Sequence, residues 1–123
     1  MIGYITIGTN DLAHATSFYD AVLAEVGAKR LYSTDRLAAW GAGKDQPTLM
    51  VTLPFDENEA TVGNGVMIAL SVKDQHMVDA VYAKAIKLGA KDEGQPGPRG
   101  SSGFYAGYFR DPDGNKLNAF CRS

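Results

Sequence analysis

The chain repeats itself. Residues 5–19 read Ile-Thr-Ile-Gly-Thr-Asn-Asp-Leu-Ala-His-Ala-Thr-Ser-Phe-Tyr, and residues 68–82 read Ile-Ala-Leu-Ser-Val-Lys-Asp-Gln-His-Met-Val-Asp-Ala-Val-Tyr. Asp11 and Asp74 lie 63 residues apart, as do Tyr19 and Tyr82. One deletion later, Gly27-Ala28-Lys29 answers to Gly89-Ala90-Lys91. Each copy reads as a short strand followed by an amphipathic helix that stops at glycine. A unit of about 60 residues buries little apolar surface alone, so the repeat predicts two halves that share one core. The 123 residues are expected to form a single domain: module one over about 1–54, a linker over 55–64, and module two over about 65–123.

Composition removes several classes. A formal net charge of −2 with no long basic run argues against a nucleic-acid partner. No apolar run approaches ~18 residues, so no membrane partner is expected. No basic stretch followed by an apolar segment opens the sequence, so no secretory leader is read. The single cysteine, Cys121, has no intrachain disulfide partner. These features fit a cytoplasmic protein with one buried thiol.

Periodicity places the elements. Ile2–Gly8 alternates as a strand. Leu12, Ala15, Tyr19, Val22, Leu23 and Val26 form one apolar stripe, predicting a helix over about Asp11–Val26 that ends at Gly27. Lys29–Ser33, Leu37–Trp40 and Thr48–Leu53 read as strands, the last with Leu49, Val51 and Leu53 on one face and Thr48, Met50 and Thr52 on the other. Val66–Val72 is the next strand and Asp74–Leu88 the second helix. Gly94–Gly103, with four glycines and two prolines, reads as a mobile loop. Phe104–Arg110 and Asn115–Cys121 are strands joined by Asp111-Pro112-Asp113-Gly114, which suits a type I turn. The fold class is α+β, with two βαβββ modules.

That doubled unit, with Asn10-Asp11-Leu12 and Phe18-Tyr19-Asp20 in the first half and Arg110-Asp111-Pro112-Asp113-Gly114-Asn115 before the last strand, resembles the glyoxalase/bleomycin resistance/extradiol dioxygenase superfamily, also called vicinal oxygen chelate proteins. The resemblance implies curved sheets around a concave pocket, often completed by dimerisation, so a homodimer is expected. It also implies one divalent metal, held by His, Gln or Glu on the first and last strands of each module. The matching positions here are Tyr4, Met50, Met67 and Asn118. Two thioethers, a phenol and a carboxamide bring no formal negative charge, whereas divalent Zn, Ni, Mn, Fe and Mg want imidazole, carboxylate or other oxygen donors. No metal and no cofactor are therefore expected.

The candidate pocket residues are Tyr4, Met50, Met67, Asn118, Tyr105, Phe120, Arg99 and Trp40. Met50 and Met67 would make an adaptable apolar floor. Asn118 would orient a polar group. On the simplest hairpin register Tyr105 and Phe120 share a face and would stack on a planar ligand. Arg99, in the glycine-rich loop, would bind an anionic group. Trp40 either lines the cavity or packs under a helix. His14 and His76 fall on helix surfaces, and Cys121 points toward the helices as packing. The reading is a small-molecule binder like the bleomycin-resistance branch, with a partly apolar, metal-free pocket. The alternative is an enzyme, a lyase or isomerase of the lactoylglutathione-lyase type or a dioxygenase-like protein, with an atypical or absent metal centre; without a metal its acid–base chemistry would fall to Tyr4 with Asn118 and Arg99.

Overall fold

The structure is a computed structural model that describes residues 1–122. It contains two compact units, Met1–Val62 and Gly63–Ser123. In the first unit the order is β1 (Tyr4–Gly8), α1 (Leu12–Ala24), β2 (Lys29–Ser33), β3 (Leu37–Gly41) and β4 (Thr48–Thr52). The second repeats it as β5 (Ile68–Ser71), α2 (Gln75–Lys87), β6 (Lys91–Pro98), β7 (Phe104–Arg110) and β8 (Lys116–Arg122). The expected α+β class with two βαβββ modules is what the chain adopts.

The two sheets share one topology, β1-β4-β3-β2 and β5-β8-β7-β6. The first strand of each runs parallel to the last, and the other pairs are antiparallel. A parallel neighbour needs a crossover, which the helix supplies. The repeated aspartates start both helices. Asp11 accepts the His14 amide at 3.1 Å, and Asp74 accepts the Met77 amide at 2.9 Å, so each carboxylate caps a donor with no intrahelical partner. The repeated glycines end them. Gly27 and Gly89 sit at φ of +82° and +104°, which a Cβ would resist, and the following Ala28 and Ala90 amides reach back to Leu23 and Ala85.

In the first unit α1 lies on the face that carries Ile7, Leu49 and Val51, and buries Ala15, Phe18, Tyr19, Val22 and Leu23. The sequence stripe omitted Phe18, while Leu12 and Val26 are only half-buried. In the second unit α2 packs against β6, β7 and β8 through Val78, Val81 and Ala85. The residues after β4 stay on the first unit. The Ala60 amide donates to the Asn10 side chain at 2.7 Å, and Arg36 Nη2 donates to the Pro54 carbonyl at 2.7 Å. Among the described residues no helix is long and apolar enough to cross a membrane.

Two sequence expectations are corrected here. Gly94–Gly103 is not one loop, because β6 runs through Pro98. β6 is the outer strand of its sheet, so the missing amides of Pro96 and Pro98 leave the ladder to β7 workable. Register shifts between Asp92 and Gly97 absorb the glycines as bulges. Only the tight turn from Arg99 to Phe104 remains, closed by the Arg99 amide on the Phe104 carbonyl at 2.8 Å.

Trp40 is resolved in favour of helix packing. It pairs with Leu49, on the α1 side of the sheet, and is 1% exposed. Its indole Nε1 donates to Asp20 Oδ1 at 2.9 Å, and Tyr19 lies against the ring at 5.7 Å between centroids. Asp20 also binds the Arg30 guanidinium. That hydrogen bond holds the carboxyl below its ordinary value of 3.8, and the Trp40 donor adds to the effect against desolvation. A lowered folded-state value means that Asp20 contributes stability above the ordinary carboxylate range and loses it as pH falls through the lowered value. Trp40 fluorescence followed from about pH 5 to about pH 2 is expected to show that acid transition, and Asp20→Asn to remove it. An unchanged acid limb in the variant would break the link.

Candidate functional site

The side of the second sheet opposite α2 holds the richest chemistry. Along β7 and β8 the register pairs Phe104 with Arg122, Ala106 with Phe120, Tyr108 with Asn118 and Arg110 with Lys116. Directly opposed residues share a face. The intervening pairs, Tyr105–Cys121, Gly107–Ala119 and Phe109–Leu117, therefore face α2. β5 adds Ala69 beside Asn118 and Ser71 beside Phe120.

The open face is aromatic at one end. Phe104 and Phe120 stack with centroids 5.4 Å apart at 22°, and the Arg122 guanidinium lies 5.2 Å from the Phe104 centroid. At the other end Tyr108 is flanked by two cations, Arg99 at 5.4 Å and Lys116 at 5.7 Å from its ring centre. Directly opposite Tyr108 stands Asn118, 1% exposed, whose carboxamide oxygen is buried and has no hydrogen-bond partner among the described residues. A buried acceptor left unpaired costs about 1–3 kcal/mol, so this atom is a standing invitation to a donor.

Arg99 is held in a prepared place. Its Nη2 donates to the Gln95 carbonyl at 2.7 Å. A Cβ added at Gly94 or at Gly97 would come within 3.3 Å of the guanidinium nitrogens. The two glycines that composition marked as loop are thus a shallow bed for an arginine.

The expected partnership of Tyr105 with Phe120 is corrected. Tyr105 is on the opposite face, and its hydroxyl donates to Asp79 of α2 at 2.7 Å. That bond raises the phenol above its ordinary value of 10.0, with burial second. Tyr82 does the same with Asp92 at 2.8 Å, and burial first, then this bond, pushes it up to about 12. Phe120 stacks instead with Phe104, which the sequence reading did not single out; nor did it single out Tyr108. The cause is the turn. Asn115 belongs to the loop and not to β8, because the Asp111 carboxylate accepts both its amide at 2.9 Å and its side-chain Nδ2 at 3.0 Å. One residue added to the loop moves the whole of β7 by one place, and each side chain changes face. Cys121 faces α2 and is 2% exposed, as expected.

In the first unit Tyr4 and Met50 share the open face. Tyr4 pairs with Thr48, and Met50 with Thr6. Met50 and Asn118 occupy equivalent places, since their partners Thr6 and Ala69 are 63 residues apart. Tyr4 is exposed at 65%, and Leu31 and Tyr32 of β2 are exposed as well. Met67 stands just before β5, 40% exposed. The first unit also has two clefts. One of about 340 Å³ is lined by Thr9, Arg36 and Glu57, and one of about 370 Å³ by Lys29, Leu31 and Gln46. None of the eight predicted residues lines either.

A divalent metal of the kind the resemblance implies would have to be held by these donors. Tyr4, Met50, Met67 and Asn118 offer a phenol, two thioethers and a carboxamide, and among the described residues Asn118 has Ala69 and Tyr108 as its cross-strand neighbours. Among the described residues no three His, Cys, Asp or Glu side chains gather to hold an ion. The donor set does not fit a hard divalent cation.

Residues 1–119 match the family model of the Glyoxalase/Bleomycin resistance protein/Dioxygenase superfamily. The chain is similar to the crystal structure of a glyoxalase/bleomycin resistance protein from Albidiferax ferrireducens T118, at 31% identity and a TM-score of 0.91, covering 100% of this chain and 99% of that one. Lactoylglutathione lyase from Agrobacterium tumefaciens shares the fold at 21% identity and a TM-score of 0.72, over 98% of this chain and 92% of that one. A glyoxalase/bleomycin resistance protein/dioxygenase family enzyme from Burkholderia phytofirmans PsJN does so at 16% and 0.76, over 98% of both chains. No curated protein matches the chain.

Proposed function

The chain belongs to the Glyoxalase/Bleomycin resistance protein/Dioxygenase superfamily, and from that premise we propose that it binds a small, partly apolar molecule on its open sheet surface without a divalent metal. In this reading the two modules act as one domain and the protein works as a homodimer. The observation that carries the proposal is Asn118. A buried carboxamide oxygen without a partner among the described residues, beside a tyrosine and a stacked phenylalanine pair, has the character of a ligand contact: apolar walls with one polar group to fix orientation. The neutral donor set supports the metal-free part.

Metal analysis and thermal shift on one preparation test this. Protein purified without chelators is expected to carry substoichiometric Ni, Zn, Mn and Fe, and to gain stability from members of a panel of small planar aromatic compounds. A ligand at 100 times its Kd adds about 2.7 kcal/mol. A stoichiometric metal, or a panel that leaves the metal-free protein's Tm unmoved, overturns the reading.

A further inference from the structure

Cations gather on the side of the second sheet opposite α2. Two of the unit's acidic side chains, Asp79 and Asp92, are bound to Tyr105 and Tyr82 on the α2 side. The open side carries Arg99, Arg110, Lys116 and Arg122, with Lys91 paired beside Arg110. Glu93 accepts from Arg110 Nε at 2.8 Å, and Asp111 and Asp113 stand in the turn between Arg110 and Lys116. Among the described residues Arg99, Lys116 and Arg122 have no carboxylate partner. The whole chain is net negative, so this is local concentration and not general basicity.

Three features therefore meet on one sheet face: stacked rings, unneutralised cations lying over aromatic faces, and a buried oxygen that needs a donor. Each restricts the ligand differently. Rings with centroids 5.4 Å apart favour a flat apolar body. Arg99 and Lys116 both lie over the Tyr108 ring and favour a negative group at that end. Asn118 pairs directly with Tyr108, so its oxygen lies beside the same end and asks for an O–H or N–H.

We propose that the ligand is a small aromatic acid, a planar ring bearing a carboxylate and a hydroxyl or N–H donor, with Arg99 and Lys116 on the carboxylate and Asn118 on the donor. The inference rests on the small-molecule reading above and deepens it. Gly94 and Gly97 acquire a role as well, because they leave room for the Arg99 guanidinium.

Isothermal titration with 3-hydroxybenzoate, benzoate, 3-hydroxybenzamide and benzamide separates the contributions. 3-Hydroxybenzoate is expected to bind about tenfold more tightly than 3-hydroxybenzamide, with the margin shrinking as salt rises. Asn118→Leu should cost 3-hydroxybenzoate about tenfold and abolish its advantage over benzoate. Arg99→Gln should weaken both acids several-fold and leave the amides unchanged. Gly97→Ala should do the same more mildly by displacing the guanidinium, and it keeps the question open to test if Asn118→Leu fails to fold. Equal binding of acids and amides overturns the anion assignment while leaving the small-molecule reading intact. Failure of all four compounds, where other panel members bind, overturns the inference alone; failure of every compound overturns both.

Discussion

Trp40→Ala is expected to lower the chain's stability by about 3–5 kcal/mol, as truncation of a fully buried aromatic does. The side chain is 1% exposed and reaches from β3 onto α1, where it touches Tyr19 and donates to Asp20. Removing it leaves a large cavity in the small core of the first unit. It also strips Asp20 of one donor, so the Arg30 pair must hold the carboxylate alone. Trp40→Phe divides the effect. It keeps most of the ring and loses the indole N–H, so a loss of about 1–2 kcal/mol is expected. Urea unfolding followed by far-UV circular dichroism measures both. A loss under about 1 kcal/mol for the alanine variant would mean that Trp40 does not anchor the helix.

The parts of the fold legible in the sequence are those written by local rules. Asp11 and Asp74 cap helices because a short carboxylate reaches the third amide ahead, and the 63-residue offset shows it happening twice. Leu49 and Val51 face inward because strand alternation has period two and one side meets a helix. β6 was hidden because glycine and proline argue against strands in general, whereas an outer strand with bulges accepts both. Trp40 was ambiguous because β3 reads Leu-Ala-Ala-Trp-Gly, which has apolar residues on both sides.

The candidate site was half legible. Asn118, Phe120 and Arg99 were singled out for their chemistry, and the structure puts all three on one side of the second sheet. Tyr105 was chosen where Phe104 and Tyr108 belong. The strand Phe-Tyr-Ala-Gly-Tyr-Phe-Arg has aromatics on both faces, so its pattern does not select one. The choice is made outside the strand, by the number of residues in the β7–β8 loop. The orphaned oxygen of Asn118 has no sequence signature, since satisfaction is a property of surroundings.

That loop makes Asp111 the second large effect. Asp111 is 4% exposed, and its carboxylate accepts the amides of Asp113 and Asn115, each at 2.9 Å, and the Asn115 side chain at 3.0 Å. The Gly114 amide closes on its carbonyl at 2.9 Å, giving the i to i+3 bond of the expected turn, and Gly114 follows at φ of +95°. This arrangement fixes Arg110 opposite Lys116, and from there Tyr108 opposite Asn118. Asp111→Ala removes three acceptor contacts at once. A loss of about 2–4 kcal/mol is expected, because partly buried donors are left unpaired. Asp111→Asn keeps one acceptor oxygen and should cost less. The register argument adds a second readout. With the loop loosened, amide exchange in β7 and β8 should rise more than in β3 and β4, whose hairpin is built elsewhere. Uniform exchange across both sheets, or a loss below about 1 kcal/mol, would show that the strands hold their register without Asp111.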